Sequence, residues 1–259
     1  MANSPSHQRL VQAIERLRLV LLPDTFDPTG SYIDSQGTSL RAVSFRVLAH
    51  AEIEAYIEDI ALELLETAWK AWKDRGVPSL TAMSLLAFSG REHTLPPSAA
   101  STPNADLDAC NCMQKAQGVW RDAHRKNHGL KEENVLRLFL PLGVQANAID
   151  TMLLADLSSF GTERGAVAHS ATTRITQYVD PETEYKKISQ LVQDLTSLDA
   201  LVCDLHIQLQ KLDCALALPP PNSPLSGIIE LREKLKVQRI QRAKRRAKKS
   251  QKGQSDLTL

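Results

Sequence analysis

The sequence predicts an all-α protein, a bundle of long helices, on three observations. Apolar residues recur at three- and four-residue intervals over long stretches. Aromatic residues are few, and the 11 Gly and 13 Pro gather in a few places instead of recurring at strand-and-turn intervals. No alternating run is long enough for a sheet, and neither an internal repeat nor a glycine-rich phosphate loop is present.

Each element follows from this periodicity. Leu10, Val11, Ile14, Leu17 and Leu21 predict a first helix over residues 7–22, ended by Pro23. A turn-rich connection, 24–38, leads to the longest helix, 40–74. Its apolar stripe includes Leu40, Val43, Val47, Ile57, Ile60, Leu64 and Leu65, with Glu52, Glu58, Asp59, Glu63 and Glu66 off the stripe and Glu54 beside it. A helix of that length in a soluble chain belongs to a bundle. A short helix follows at 80–88. The Pro/Ser/Ala-rich stretch 95–108 reads as a mobile surface loop. Helix resumes from Trp120, breaks near Asn127-His128-Gly129, and runs again over 132–140 until Pro141 and Gly143 stop it. Residues 149–160 lead into Arg164 and His169. Asp180-Pro181-Glu182 is a strong helix start, with an N-capping acid, Pro at the first helical position and acids in the first turn. The helix it opens reaches about residue 215. The first 217 residues thus form the bundle, and 218–259 a Pro-rich spacer with a basic tail.

Composition narrows the function classes. With 42% apolar and 24% charged residues, the chain is that of a globular protein. No apolar run approaches the ~18 residues of a membrane span. The start, MANSPSHQRL, lacks a basic stretch followed by an apolar core, so a cytoplasmic protein without membrane contact is expected. Four cysteines are too sparse for a disulfide framework. The net charge of +1 conceals an asymmetry. Residues 232–252 hold eleven Lys/Arg and one acid, a net +10, which leaves −9 on the remainder. Arg239, Arg242, Lys244, Arg245, Arg246, Lys248 and Lys249 could contact nucleic-acid phosphates, with an affinity that falls steeply with salt. No aromatic is interleaved, so base stacking is not expected of this segment. A solvated extension is the plainer alternative.

Cys110-x-Cys112-x11-His124-x3-His128 invites a zinc reading. The cysteine gap is one residue short for the usual finger and no hairpin pattern surrounds it, so no metal or other cofactor is expected.

Three stretches together resemble the HEPN superfamily, specifically the RiboL-PSP-HEPN branch. The long helix carries Ala49-His50-Ala51-Glu52-Ile53-Glu54-Ala55-Tyr56-Ile57-Glu58-Asp59. The middle reads Asn127-His128-Gly129-Leu130-Lys131-Glu132-Glu133-Asn134-Val135 and then Leu140-Pro141-Leu142-Gly143. The third, Arg164-Gly165-x-x-Ala168-His169, is similar to the superfamily's R-x4-6-H signature. The resemblance covers roughly residues 40 to 215. It implies a helical bundle that dimerises with its two motifs facing across a cleft, and metal-independent cleavage of RNA by a toxin or antiviral effector. A homodimer, RNA and an antitoxin or defence-complex protein are the partners it implies. In one respect the chain departs from it: many members place a polar residue, usually Asn, after the arginine, where this chain has Gly165.

The residues support such chemistry independently. In RNA the neighbouring 2′-hydroxyl can attack the phosphate, so the reaction needs proton transfer and stabilisation of phosphoryl charge. His169 is the candidate base or acid, and Arg164 the phosphate-holding fork. Five residues on an ideal helix turn through ~500°, which leaves the pair ~140° apart. A helix start near Arg164, or pairing across a dimer, would bring them onto one atom. A surface arginine and a partly buried histidine at a helix junction is the plainer alternative. Glu54 and His50 are candidate supporting residues, each also readable as an ordinary helix-face side chain. Two non-catalytic functions stand beside the nuclease: a HEPN-like scaffold or dimerisation module, and a nucleic-acid binder that acts through the tail.

Overall fold

A computed structural model describes residues 3–89, 109–168 and 178–217. Among the described residues the chain is all-α: α1 (Pro5–Leu21), α2 (Ser35–Arg75), α3 (Leu80–Phe88), α4 (Ala109–Arg125), α5 (Glu132–Phe139), α6 (Thr151–Ala168) and α7 (Pro181–Ala217). Two 3-10 turns, Leu140–Leu142 and Ala146–Ala148, join α5 to α6. The expected loop 95–108, His169 and the basic residues from Arg239 to Lys249 lie outside the described residues. The chain divides into two compact units, Met1–Gln210 and Lys211–Leu259, the second described only through Ala217.

In the first unit, α2 is the axis, and α1, α3, α4, α5 and α6 all pack on it. Its 41 residues span ~62 Å at the α-helical rise. Phe45, Ile53, Ile57, Leu64 and Leu65 are fully buried along it. Each such side chain stabilises the fold by roughly 1.5–3 kcal/mol on burial. The helix starts five residues before the apolar stripe because Asp34 caps it, accepting from the Gly37 N–H at 2.9 Å. It ends at Gly76, whose left-handed backbone (φ 70°) lets its N–H reach the Trp72 carbonyl at 2.8 Å.

Other boundaries follow the same local chemistry. Ser4 caps α1 by accepting from the His7 N–H at 3.0 Å. Asp180 caps α7 by accepting from the Thr183 N–H at 2.8 Å, so the Asp-Pro-Glu start holds. The break around Asn127-His128-Gly129 is also present, with Gly129 at φ 94°. One boundary differs. Helix α4 begins at Ala109, eleven residues before the first strong apolar signal at Trp120. Ahead of Trp120 its buried Met113 and Ala116 stand among polar residues, Gln114, Lys115 and the buried Gln117, which leaves no visible apolar stripe.

A buried polar junction fixes α7 to the first two helices. Asp199 accepts from the Ser4 N–H (2.9 Å), the Ser4 hydroxyl (2.6 Å) and the Tyr56 hydroxyl (2.9 Å). All the carboxylate's neighbours are donors, as a buried anion requires. No described helix is long and apolar enough to cross a membrane.

Candidate functional site

Four polar residues stand at four-residue intervals on α2: Arg46, His50, Glu54 and Glu58. Each step of four advances 40° around the helix, so the row winds slowly across its surface. Its members meet three parts of the bundle: α7, α6 and the turn between α4 and α5.

Arg46 reaches α7. Its Nε donates to Glu184 Oε1 at 2.8 Å and its Nη2 to Glu184 Oε2, a two-pronged pair with both side chains largely buried. A second carboxylate, Glu163 on α6, lies 3.8 Å from Arg46 Nε and also pairs with Lys187. The Glu184 hydrogen bond raises the Arg46 pKa above its ordinary value, against the opposing effect of burial.

His50 lies beneath α6. It is 2% exposed, and its ring tilts against Phe160 with centroids 5.5 Å apart. A Cβ built on Gly161 would stand 3.7 Å from His50 Nε2. On the other side, His50 Nδ1 lies 3.5 Å from Glu54 Oε2, an ion-pair distance. Burial pushes the His50 pKa below the ordinary 6.5; Glu54 opposes that shift and Arg164 adds to it.

Glu54 and Glu58 hold the turn between α4 and α5. Glu54 Oε1 accepts from the Gly129 N–H, and Glu58 Oε1 accepts from Asn127 Nδ2 at 3.0 Å. Asn134 closes the turn from within, donating to the carbonyls of His128 (2.7 Å) and Gly129 (3.2 Å). The histidine–carboxylate pair and the turn are therefore one connected unit.

The three sequence stretches thus meet in one place. His50 and Glu54 contribute the helix face, Asn127 to Asn134 the clamped turn, and Phe160 to Arg164 the last turns of α6. Arg164 is exposed. It lies within a continuous helix from Thr151 to Ala168, so a helix start at Arg164 does not bring it toward His169. His169, the residue after that helix, lies outside the described residues, as do the tail residues. Apart from its chain neighbours and the backbone of its own helix, nothing among the described residues lies within 4 Å of where a Gly165 Cβ would stand.

The sequence pattern set Glu58 off the apolar stripe and gave Asn127 no role beyond the helix break. Their signal was available: two acids, a histidine and an arginine in one i, i+4 row beside an apolar stripe. The zinc reading fails on geometry. Cys112 and His124 lie on one continuous helix, twelve residues or ~18 Å apart along its axis, too far to share a tetrahedral ion. No cluster of three His, Cys, Asp or Glu able to hold a metal occurs among the described residues.

The buried imidazole makes stability depend on pH with a definite sign. Folded His50 holds its proton less tightly than unfolded His50, so stability is full above the ordinary imidazole range and falls as pH drops through the lowered value. His206 is shifted the same way by burial, so it adds to the effect. Urea unfolding between pH 7 and pH 5 should lose less stability in His50→Gln than in wild type. Equal losses would remove His50 as a source of acid sensitivity.

Compared with protein-family models, with curated proteins and with solved structures, the chain has no match in any of the three.

Proposed function

We propose that the chain is a metal-independent endoribonuclease that cleaves RNA through the 2′-hydroxyl, as a toxin or antiviral-defence effector. Arg164 binds the phosphate and His169 transfers the proton, with His50 and Glu54 supporting the α6 face that carries the arginine. Two copies of the chain form a composite site, and the protein is cytoplasmic. The observation that carries this reading is the meeting of the His50–Glu54 pair, the clamped 127–129 turn and the Arg164 end of α6. Three segments far apart in sequence converge where the charge of an exposed arginine, Arg164, acts on the imidazole of a buried histidine–carboxylate pair. The basic residues from Arg239 to Lys249 add non-specific phosphate contacts.

Purified protein should cleave total RNA equally with and without EDTA, leaving 2′,3′-cyclic phosphate ends, and His169→Ala should lose that cleavage. Chelator-sensitive cleavage would sink the mechanism. Gly165 in place of the usual polar residue favours one second reading, a bundle of the same kind that dimerises or scaffolds without catalysis. A folded wild type that cleaves nothing while still forming its complex would support that alternative.

A further inference from the structure

One face of α2 is covered along its later turns and open along its earlier ones. Asn127 donates to Glu58 at 3.0 Å and Arg121 of α4 pairs with Glu66, which buries the later turns within the bundle. On the same face, Leu40, Ser44, Val47, Ala51 and Ala55 follow at steps of four, three, four and four residues, with Leu48 beside them. At 100° per residue these six fall within an arc of ~100° and run ~22 Å along the axis. Leu40 is 47% exposed and Leu48 45%; Ala51 and Ala55 are exposed, Ser44 and Val47 half-buried. Ser44 brings no unpaired polar group, because its hydroxyl donates to the Leu40 carbonyl at 2.9 Å. Such spacing and width are those of a helix that packs against another helix.

Two opposite charges border this stripe on one flank. Arg41 and Glu52 are three turns apart and lie within ~20° of each other around the helix, just past Leu48. Both are exposed, and among the described residues neither has an ion-pair partner; Arg41 donates to Thr38 Oγ1 at 3.0 Å. At ~16 Å along the axis they are too far apart to pair with each other. A second copy of the stripe supplies both partners. When identical helices pack antiparallel about a two-fold axis, each flank meets the same flank of the other copy. With the axis between Val47 and Leu48, Leu40 stands against Ala55 of the second copy and Ser44 against Ala51. Arg41 of each copy then stands only ~3 Å along the axis from Glu52 of the other. Large side chains meet small ones, and the flanking charges fix the orientation.

We propose that the face of α2 from Leu40 to Ala55 is the surface through which two copies of this chain pair, antiparallel, with Arg41 of each bound to Glu52 of the other. This rests on the two-copy part of the reading above and names the face that forms the pair. His50 lies on the other flank, beneath Phe160 of α6. Because like flanks stay together, the α6 helices of both copies stand on one side of the pair, as a composite site requires. The stripe is narrow beside the ~800 Å² per partner of a standard interface, so the pair should dissociate on dilution.

Sedimentation equilibrium of the full chain over a range of concentrations measures the pairing. Wild type should pass from monomer to dimer as concentration rises. Ala51→Glu sets a charge in the middle of the stripe and should abolish the dimer. Arg41→Glu turns two attractive contacts per dimer into repulsive ones and should weaken it about 10-fold, as should Glu52→Arg. The double variant Arg41→Glu/Glu52→Arg should return to wild-type affinity. All three positions are exposed, and circular dichroism checks the fold. Met83→Glu, at an exposed apolar position of α3, should change nothing. A wild type that stays monomeric at every concentration would overturn the proposal and leave the stripe to a helix of another protein. A dimer unchanged in Ala51→Glu would overturn it too, and a double variant no tighter than the single ones would refute the antiparallel arrangement. Sedimentation does not depend on RNA. A monomer that cleaves RNA without a metal would therefore remove this face and keep the nuclease chemistry, whereas an Ala51-dependent dimer that cleaves nothing would keep the face and sink the nuclease.

Discussion

Arg46→Ala should lower the unfolding free energy by about 3–5 kcal/mol, the cost of leaving one partner of a buried ion pair alone. Glu184 is 3% exposed and its carboxylate takes both prongs of the Arg46 guanidinium. With the arginine gone, an unpaired carboxylate remains in a desolvated place. The reverse change should cost less. In Glu184→Ala the guanidinium keeps a second carboxylate, Glu163, 3.8 Å away and nearer to solvent. Urea denaturation of the two variants side by side measures this asymmetry, and a larger loss in Glu184→Ala than in Arg46→Ala would refute the argument. Replacing both with apolar residues, as in Arg46→Met/Glu184→Leu, should recover most of the loss, because neither charge then needs solvation. The contact also bears on function. Glu163 precedes Arg164, so the network that Arg46 anchors fixes the end of α6 where the proposed phosphate-binding residue stands.

The second large effect is expected at Phe160. Its side chain is fully buried and its ring lies against His50. Truncation to Ala removes the ring and leaves a cavity, a combined loss of about 3–5 kcal/mol. Phe160→Leu keeps most of the volume and should lose under about 1.5 kcal/mol. Besides stability, Phe160→Ala should change the response to acid. A cavity beside His50 admits water and relieves the burial that lowers its pKa, so the stability lost between pH 7 and pH 5 should shrink toward that of His50→Gln. If Phe160→Ala keeps the full wild-type acid sensitivity, the ring is not what desolvates His50.

Much of this molecule was legible in the sequence because helices announce themselves locally. A 3.6-residue period, a capping acid before Pro181 and a glycine after a helix depend on neighbours within a few residues. The long axis of the bundle, the break at Asn127-His128-Gly129 and the helix leading into Arg164 were therefore readable. The start of α4 was not, since its buried Met113 and Ala116 stand among Gln114, Lys115 and Gln117 and make no continuous apolar pattern.

The candidate site was legible only in part, for a related reason. The pattern placed Glu54 beside the apolar stripe of the long helix and singled out His50 and Arg164. It did not distinguish Glu58, which holds a turn, from Glu52, which is exposed. A helix period fixes which face a residue occupies and carries no information on what covers that face. By itself the sequence determined an all-helical chain, its main boundaries and the residue types available for proton transfer and phosphate binding. Only the tertiary structure decided that the 127–129 turn and the end of α6 cross the same few turns of α2. Those contacts join residues 69 or more positions apart, and long-range packing, not local propensity, selects them.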